Sequence, residues 1–157
     1  MPYFGDGSNL SGISGGGAYA SGGGSGSTDQ TSYQNVVSVT ITPTQSNSHI
    51  LILVTGVVQG RAGNNSNNTS TGYAQVTRDT TSIGSEVIAP ASTKPFTQSI
   101  LDTNNHGGNA VTYRLRLKNS DQNYQKYARM GLNEDSSNNA GYPTQGNATL
   151  TVLEILQ

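Results

Sequence analysis

The chain contains no cysteine. Secreted domains of this kind often carry disulfides, so their absence counts against that setting without fixing a compartment. Charge is scarce too. Charged residues make up 11% of the chain and the formal net charge is −1, against roughly 25% charged residues in ordinary domains. So neutral a chain does not suit nucleic acid as its main partner. Leu, Ile, Val and Phe together fall just below the roughly 20% at which disorder is expected, but the high net charge that accompanies disorder is missing. No apolar run is long enough to span a membrane as a helix. No stretch keeps a helical period. The start, from Met1 to Gly7, has no basic region followed by an apolar core, so no signal peptide is expected.

Gly, Ser, Thr and Asn fill the space that charge leaves. The 157 residues suit one domain, which would bury about two thirds of its unfolded surface. A thin core in a weakly charged protein points to help from oligomerisation. The most apolar stretch is Ile50–Val54, which has no polar residue. A strand with one wet face alternates, as Val37, Val39 and Ile41 do just upstream. This one does not alternate, so both of its faces should be covered, one by a second sheet and the other by further strands or another subunit.

Residues 1–13 form an extended N-terminal arm. Tyr3, Phe4, Leu10 and Ile13 are apolar anchors around an Asp6-Gly7 turn, where a mere tail would be polar. Residues 14–30 are rich in glycine and serine and read as a flexible linker. The body, residues 31–157, divides into eight candidate strands at 31–42, 48–60, 72–79, 82–89, 95–101, 110–119, 124–132 and 148–156. Pro43, Pro90, Pro95 and Pro143 fall between these runs or at their edges, where proline is tolerated. Asp79-Thr80-Thr81 reads as a tight hairpin. The pattern predicts an all-β fold, an antiparallel β-sandwich of the jelly-roll kind. Simple alternation would put loops 43–47, 79–81, 102–109 and 133–147 at one end. The linker would attach at the other end, with loops 61–71, 90–94 and 120–123. The first end would then face outward, presenting Asn104, Asn105, His106, Glu134, Asp135 and Tyr142.

Residue chemistry points away from catalysis. His49 and His106 are the two histidines, and neither has the neighbours a zinc site needs, so no metal is expected. No Gly-x-Ser-x-Gly elbow occurs. Asp102, Glu134 and Asp135 could supply a carboxylate pair for glycan cleavage only at separations that sequence does not give, and they read as solvated loop acids. No EF-hand loop appears. The glycine tract lacks the Gly-Lys-Ser/Thr ending of a phosphate loop, so no cofactor is expected. Arg114, Arg116 and Lys118 make a basic stripe on one strand, with Tyr124, Lys126, Tyr127 and Arg129 in the next. They read as a solvated sheet face or as ion pairs across a subunit interface.

The stretch from Phe4 to Ile13, Phe-Gly-Asp-Gly-Ser-Asn-Leu-Ser-Gly-Ile, resembles the Gly-Asp-Gly-Ser-x-Leu-(Thr/Ser)-Gly-(Leu/Ile) element of bacteriophage fibre and other virion proteins. The body resembles their small head domains. The likeness runs through Tyr33 and Val36-Val37, Val39-Thr-Ile-Thr-Pro-Thr44, His49–Val54, the Arg78–Gly84 hairpin, Val111–Leu115 and the terminal Ala148–Ile155. The resemblance implies a homotrimer with a β-sandwich head on the virion surface, held to other virion proteins by residues 1–13, with no enzymatic role. One anchor peptide leads to one head without shaft repeats, which favours a short capsid fibre or decoration protein. The alternative is a tail-fibre head that recognises a host surface glycan or protein.

Overall fold

A computed structural model describes residues 17–61, 70–90, 93–121, 127–131 and 147–157. Among them there is no helix, so none is long and apolar enough to cross a membrane. The strands are β1 (Tyr19–Gly24), β2 (Gly26–Thr28), β3 (Gln34–Ile41), β4 (His49–Arg61), β5 (Thr71–Arg78) and β6 (Thr81–Ser82). They continue with β7 (Val87–Pro90), β8 (Thr93–Asp102), β9 (Val111–Asn119), β10 (Tyr127–Met130) and β11 (Ala148–Ile155). All pairings are antiparallel.

Two sheets pack face to face. In sheet A, β4 pairs with β8 along one side and with β11 and then β10 along the other. β11 and β10 in turn pair with β1 and β2. Each of these two pairs acts as one strand position with a break in it. Sheet B runs β3, β9, β5, with β6 and β7 end to end beyond β5. Counted by position, the described residues form eight strands. The first, eighth, third and sixth form sheet A, and the second, seventh, fourth and fifth form sheet B, which is the jelly-roll order. Almost every connection therefore crosses from one sheet to the other.

The core follows from the pleat. Alternate residues of a strand point to opposite faces. Ile50, Ile52, Val54 and Val58 of β4, with Leu150, Val152, Ala128 and Met130, face Val37, Val39, Ile41, Ala74, Val76, Val111, Tyr113, Leu115 and Leu117 across the sandwich. Burying one such aliphatic side chain contributes about 1.5–3 kcal/mol. Asp79, with φ of 49°, and Thr80 form the two-residue turn of the predicted hairpin.

Three sequence expectations change. Residues 19–28 are not a linker: they are the first strand position, on the edge of sheet A. Their glycines lie against β3. A Cβ on Gly22 would come within 2.9 Å of Val39 Cγ2, and one on Gly24 within 2.7 Å of the Val36 carbonyl. The tract is poor in side chains because the other sheet leaves no room for them. Second, residues 124–132 and 148–156 are not separate strand positions, because β10 and β11 lie end to end along β4. Met130 pairs with Val58 and Thr149 with Thr55, so β10 ends and β11 begins partway along β4. The extra first strand and the divided last one offset each other, so the count of eight was right while its members were not. Third, the extra strand reverses the chain's starting end. Tyr19 pairs with Leu153, next to the end of β8 and the start of β4, so the chain arrives at the end that carries loops 43–47 and 103–110.

These contacts separate a packed strand from a linker. Gly24→Val should lower the unfolding free energy by about 2 kcal/mol or more. Gly23→Ser, whose Cβ meets nothing closer than 3.5 Å, should change it by less than about 0.5 kcal/mol. Urea midpoints of the two variants check this.

Candidate interaction face

The outer face of sheet A is the most unusual surface of the molecule. Across four strands, Tyr19, Leu153, Leu51 and Leu101 stand in one cross-strand row. Ile155 and His49 pair above it. Below it lie Ser21, Thr151, Leu53 and Ser99, and then Gly23, Thr149, Thr55 and Thr97. Tyr19 is 65% exposed, Leu101 53%, Ile155 39% and Leu53 38%. The expectation that both faces of β4 are covered therefore holds for one face only within a single chain. No Asp, Glu, Lys or Arg stands in these rows. The hydroxyls bond to each other: Ser21 to Thr151 at 3.0 Å, and Thr55 to Thr149 at 2.7 Å. Polar groups that satisfy one another in this way can be buried at little cost.

The outer face of sheet B is the opposite. Arg114, Arg116 and Lys118 alternate along β9 with the buried Tyr113, Leu115 and Leu117. The Lys118 ammonium lies 4.6 Å from the Tyr33 ring centroid and 4.7 Å from that of Tyr73, and 3.3 Å from Glu86. The Tyr33 hydroxyl donates to Glu86. Burial, with the Glu86 carboxylate beside it, pushes that phenol well above its usual range. Arg116 donates to the Tyr33 carbonyl at 2.8 Å and Arg114 to the Asp79 carbonyl at 2.6 Å. The basic stripe is thus a solvated face whose charges are held within the chain. Arg129 is not part of it, because β10 belongs to sheet A.

At the end where the chain enters β1, two buried carboxylates gather the loops. Asp102 closes β8. Its Oδ1 accepts from Arg78 at 2.7 Å and from the Asn104 amide and side chain at 3.1 and 3.0 Å. Its Oδ2 accepts from the Tyr113 hydroxyl at 2.8 Å and lies 3.4 Å from His106 Nε2. Burial works to raise this carboxyl, but the bonds from Arg78, Asn104 and Tyr113 outweigh it and hold the group below the usual carboxylate range. Glu154, in β11, accepts from the amides of Ala18, Thr44 and Gln45 at 2.7, 2.8 and 3.0 Å, and from the Thr44 hydroxyl at 2.9 Å. Burial again opposes ionisation, and the Ser48 hydroxyl beside the carboxylate together with these amides overcomes it, taking the pKa down to about 2. A general acid needs a raised pKa and a free approach. Both carboxylates are held ionised and enclosed, so their work is structural.

The sequence-predicted surface residues divide accordingly. Asn104 is spent on Asp102, Asn105 accepts from the Gly107 amide at 2.7 Å, and the His106 carbonyl accepts from the Asn109 amide at 2.9 Å. These bonds fix the shape of the loop, while Asn104 and Asn105 remain exposed. Glu134, Asp135 and Tyr142 lie outside the described residues, as do the anchor residues Tyr3, Phe4, Asp6, Leu10 and Ile13. Among the described residues no three His, Asp or Glu side chains gather as a metal site. Sequence reasoning did not single out Tyr19, Leu101, Leu153 or Ile155. The available signal was the unbroken run in β4, whose outward half, Leu51 and Leu53, needs neighbours of its own kind.

The two acids set the response to pH. Their folded-state pKa values are depressed, so the stability they contribute is complete above the ordinary carboxylate range. It is lost as pH falls through that range toward about 2 for Glu154. Glu154→Gln should cost about 2 kcal/mol near neutral pH and flatten the decline below about pH 4.5. Urea unfolding of both proteins across that interval measures it. Comparison with models of known protein families and with curated proteins finds no match for this chain.

Proposed function

We propose that this chain is a non-enzymatic structural protein of a bacteriophage virion, a short capsid fibre or decoration protein. Its N-terminal arm anchors it to the particle, and its jelly-roll head assembles as a homotrimer on the surface. The observation that carries the reading is the uncharged, apolar outer face of sheet A, which one chain leaves uncovered. The fibre-like element from Phe4 to Ile13 supplies the setting.

The position of β1 changes the orientation expected from sequence. Ala18 is tied on both sides to Glu154: its amide donates to the carboxylate and its carbonyl accepts from the Glu154 amide at 2.8 Å. Residues 1–16 therefore depart beside loops 43–47 and 103–110. If they hold the particle, that end faces inward. The outward end is the one carrying Gln30, Tyr33, Glu86 and Asn119–Asp121. A receptor-binding head that uses Asn104, Asn105 and His106 for a host glycan or protein is the weaker reading. Those residues bond within their own loop and lie beside the arm.

Deleting residues 1–13 should abolish binding to particles that lack the protein, while the head keeps its mass in solution and its unfolding midpoint. Co-sedimentation with the particles measures the first and light scattering the second. Undiminished co-sedimentation of the truncated protein would remove the arm from the proposal.

A further inference from the structure

We infer that the head's partner across the outer face of sheet A is a second copy of the same chain, seated on Leu51, Leu53, Leu101 and Leu153. This rests on the reading of the head as a homo-oligomer and adds the surface that it uses.

Three observations converge on that occupant. The first is charge. The rows from Ile155–His49 to Thr149–Thr55 hold no Asp, Glu, Lys or Arg, so identical faces meet without opposing like charges. Sheet B offers the contrary case, because copies meeting there would set Arg114, Arg116 and Lys118 against their own kind. A strongly charged partner would find no opposite charge in these rows to pair with.

The second is extent. Four strands at about 4.8 Å spacing and seven residues at about 3.3 Å rise give a footprint of roughly 400 Å². Within it the apolar side chains of Tyr19, Leu153, Leu51, Leu101, Leu53 and Ile155 are contiguous, unlike a scatter of single surface leucines. The polar part of the footprint is ready for burial, since the Ser21–Thr151 and Thr55–Thr149 hydroxyl pairs close on themselves.

The third is where the chain outside the described head begins. Tyr19, at the rim of the apolar row, stands two residues from Gly17. Copies packed through this row bring their residues 1–16 out beside one another. Several arms then leave one end of one assembly, as a shared attachment requires. Contacts through sheet B would place the starts of β1 on the far sides of the sandwiches.

The experiment compares the full-length chain with Leu53→Asp/Leu101→Asp by native mass spectrometry and light scattering. A trimeric wild type and a folded monomeric variant are expected. Ile88→Asp serves as control, on the outer face of sheet B at 43% exposure, and should remain trimeric. A trimeric double variant would overturn the face while leaving the trimer standing. A monomeric wild type would overturn both. A second measurement guards against a variant that misfolds. In this cysteine-free chain, Ser99→Cys on sheet A should react with a maleimide about tenfold more slowly than Ser38→Cys on sheet B, because an interface core excludes solvent. Equal rates overturn the inference.

Discussion

A β-strand cannot choose which of its residues face inward, and β4 is apolar on both sides of its pleat. Ile50, Ile52 and Val54 build the centre of the core. The pleat then obliges Leu51 and Leu53 to face out. Their neighbours agree with them: Leu101 on β8 and Leu153 on β11 stand directly across. A strand that needed only one buried face would carry Thr or Ser at these places, as the same sheet does one and two rows further along. The outward leucines pair with one another across the strands, but no second layer of this chain's described residues covers them, and they leave an apolar outer face.

A chain with so little charge uses what it has in particular places. Asp102 and Glu154 are buried and fully hydrogen-bonded, and both work at one end. Asp102 ties the end of β8 to Arg78 of β5, to Tyr113 of β9 and to its own loop. Glu154 ties the start of β1 and the loop before β4 to the last strand. Asp102 joins the two sheets, and Glu154 holds the connection that crosses from β3 to β4, which a jelly roll needs where its chain changes sheet. Arg114, Arg116 and Lys118 stand on the outer face of sheet B, where tyrosine rings, Glu86 and backbone carbonyls hold them. The two sandwich faces therefore differ, with a basic stripe on one and uncharged rows on the other, and two carboxylates pin the end where the described chain begins.

Six of the eight strand positions among the described residues were readable from alternation and turn chemistry, because a half-buried strand writes its two faces into every second residue. Val37-Ser38-Val39-Thr40-Ile41 and Val111 through Lys118 are plain cases. The first strand was not readable by that rule. Its inward positions are Ala18, Ala20, Gly22, Gly24 and Gly26, and their outward neighbours after Tyr19 are Ser21, Gly23, Ser25 and Ser27, residues just as small. An alternation of small with small looks like a linker unless the depth of the space is known. The last strand failed for another reason. β10 and β11 lie end to end along β4, and a sequence gives no sign of it. The unread first strand reverses the end at which the described chain begins, while loops 43–47, 79–80 and 103–110 share one end as expected. The contacts of Asn104 and His106 with Asp102, and the bond of Asn105 within its own loop, were not visible in the sequence.

The amino-acid sequence by itself determined the class of fold, because period-two patterning with proline and glycine between the runs admits only strands. It also determined that β4 is apolar on both faces, since that is a matter of residue type. Tertiary structure alone decided which half of β4 lies inside and which cross-strand neighbours complete the outer row. It decided too that a glycine tract is a strand, and the end from which the arm leaves. Each of these depends on distances between residues far apart in the chain, and on how closely two sheets approach, which no local pattern encodes.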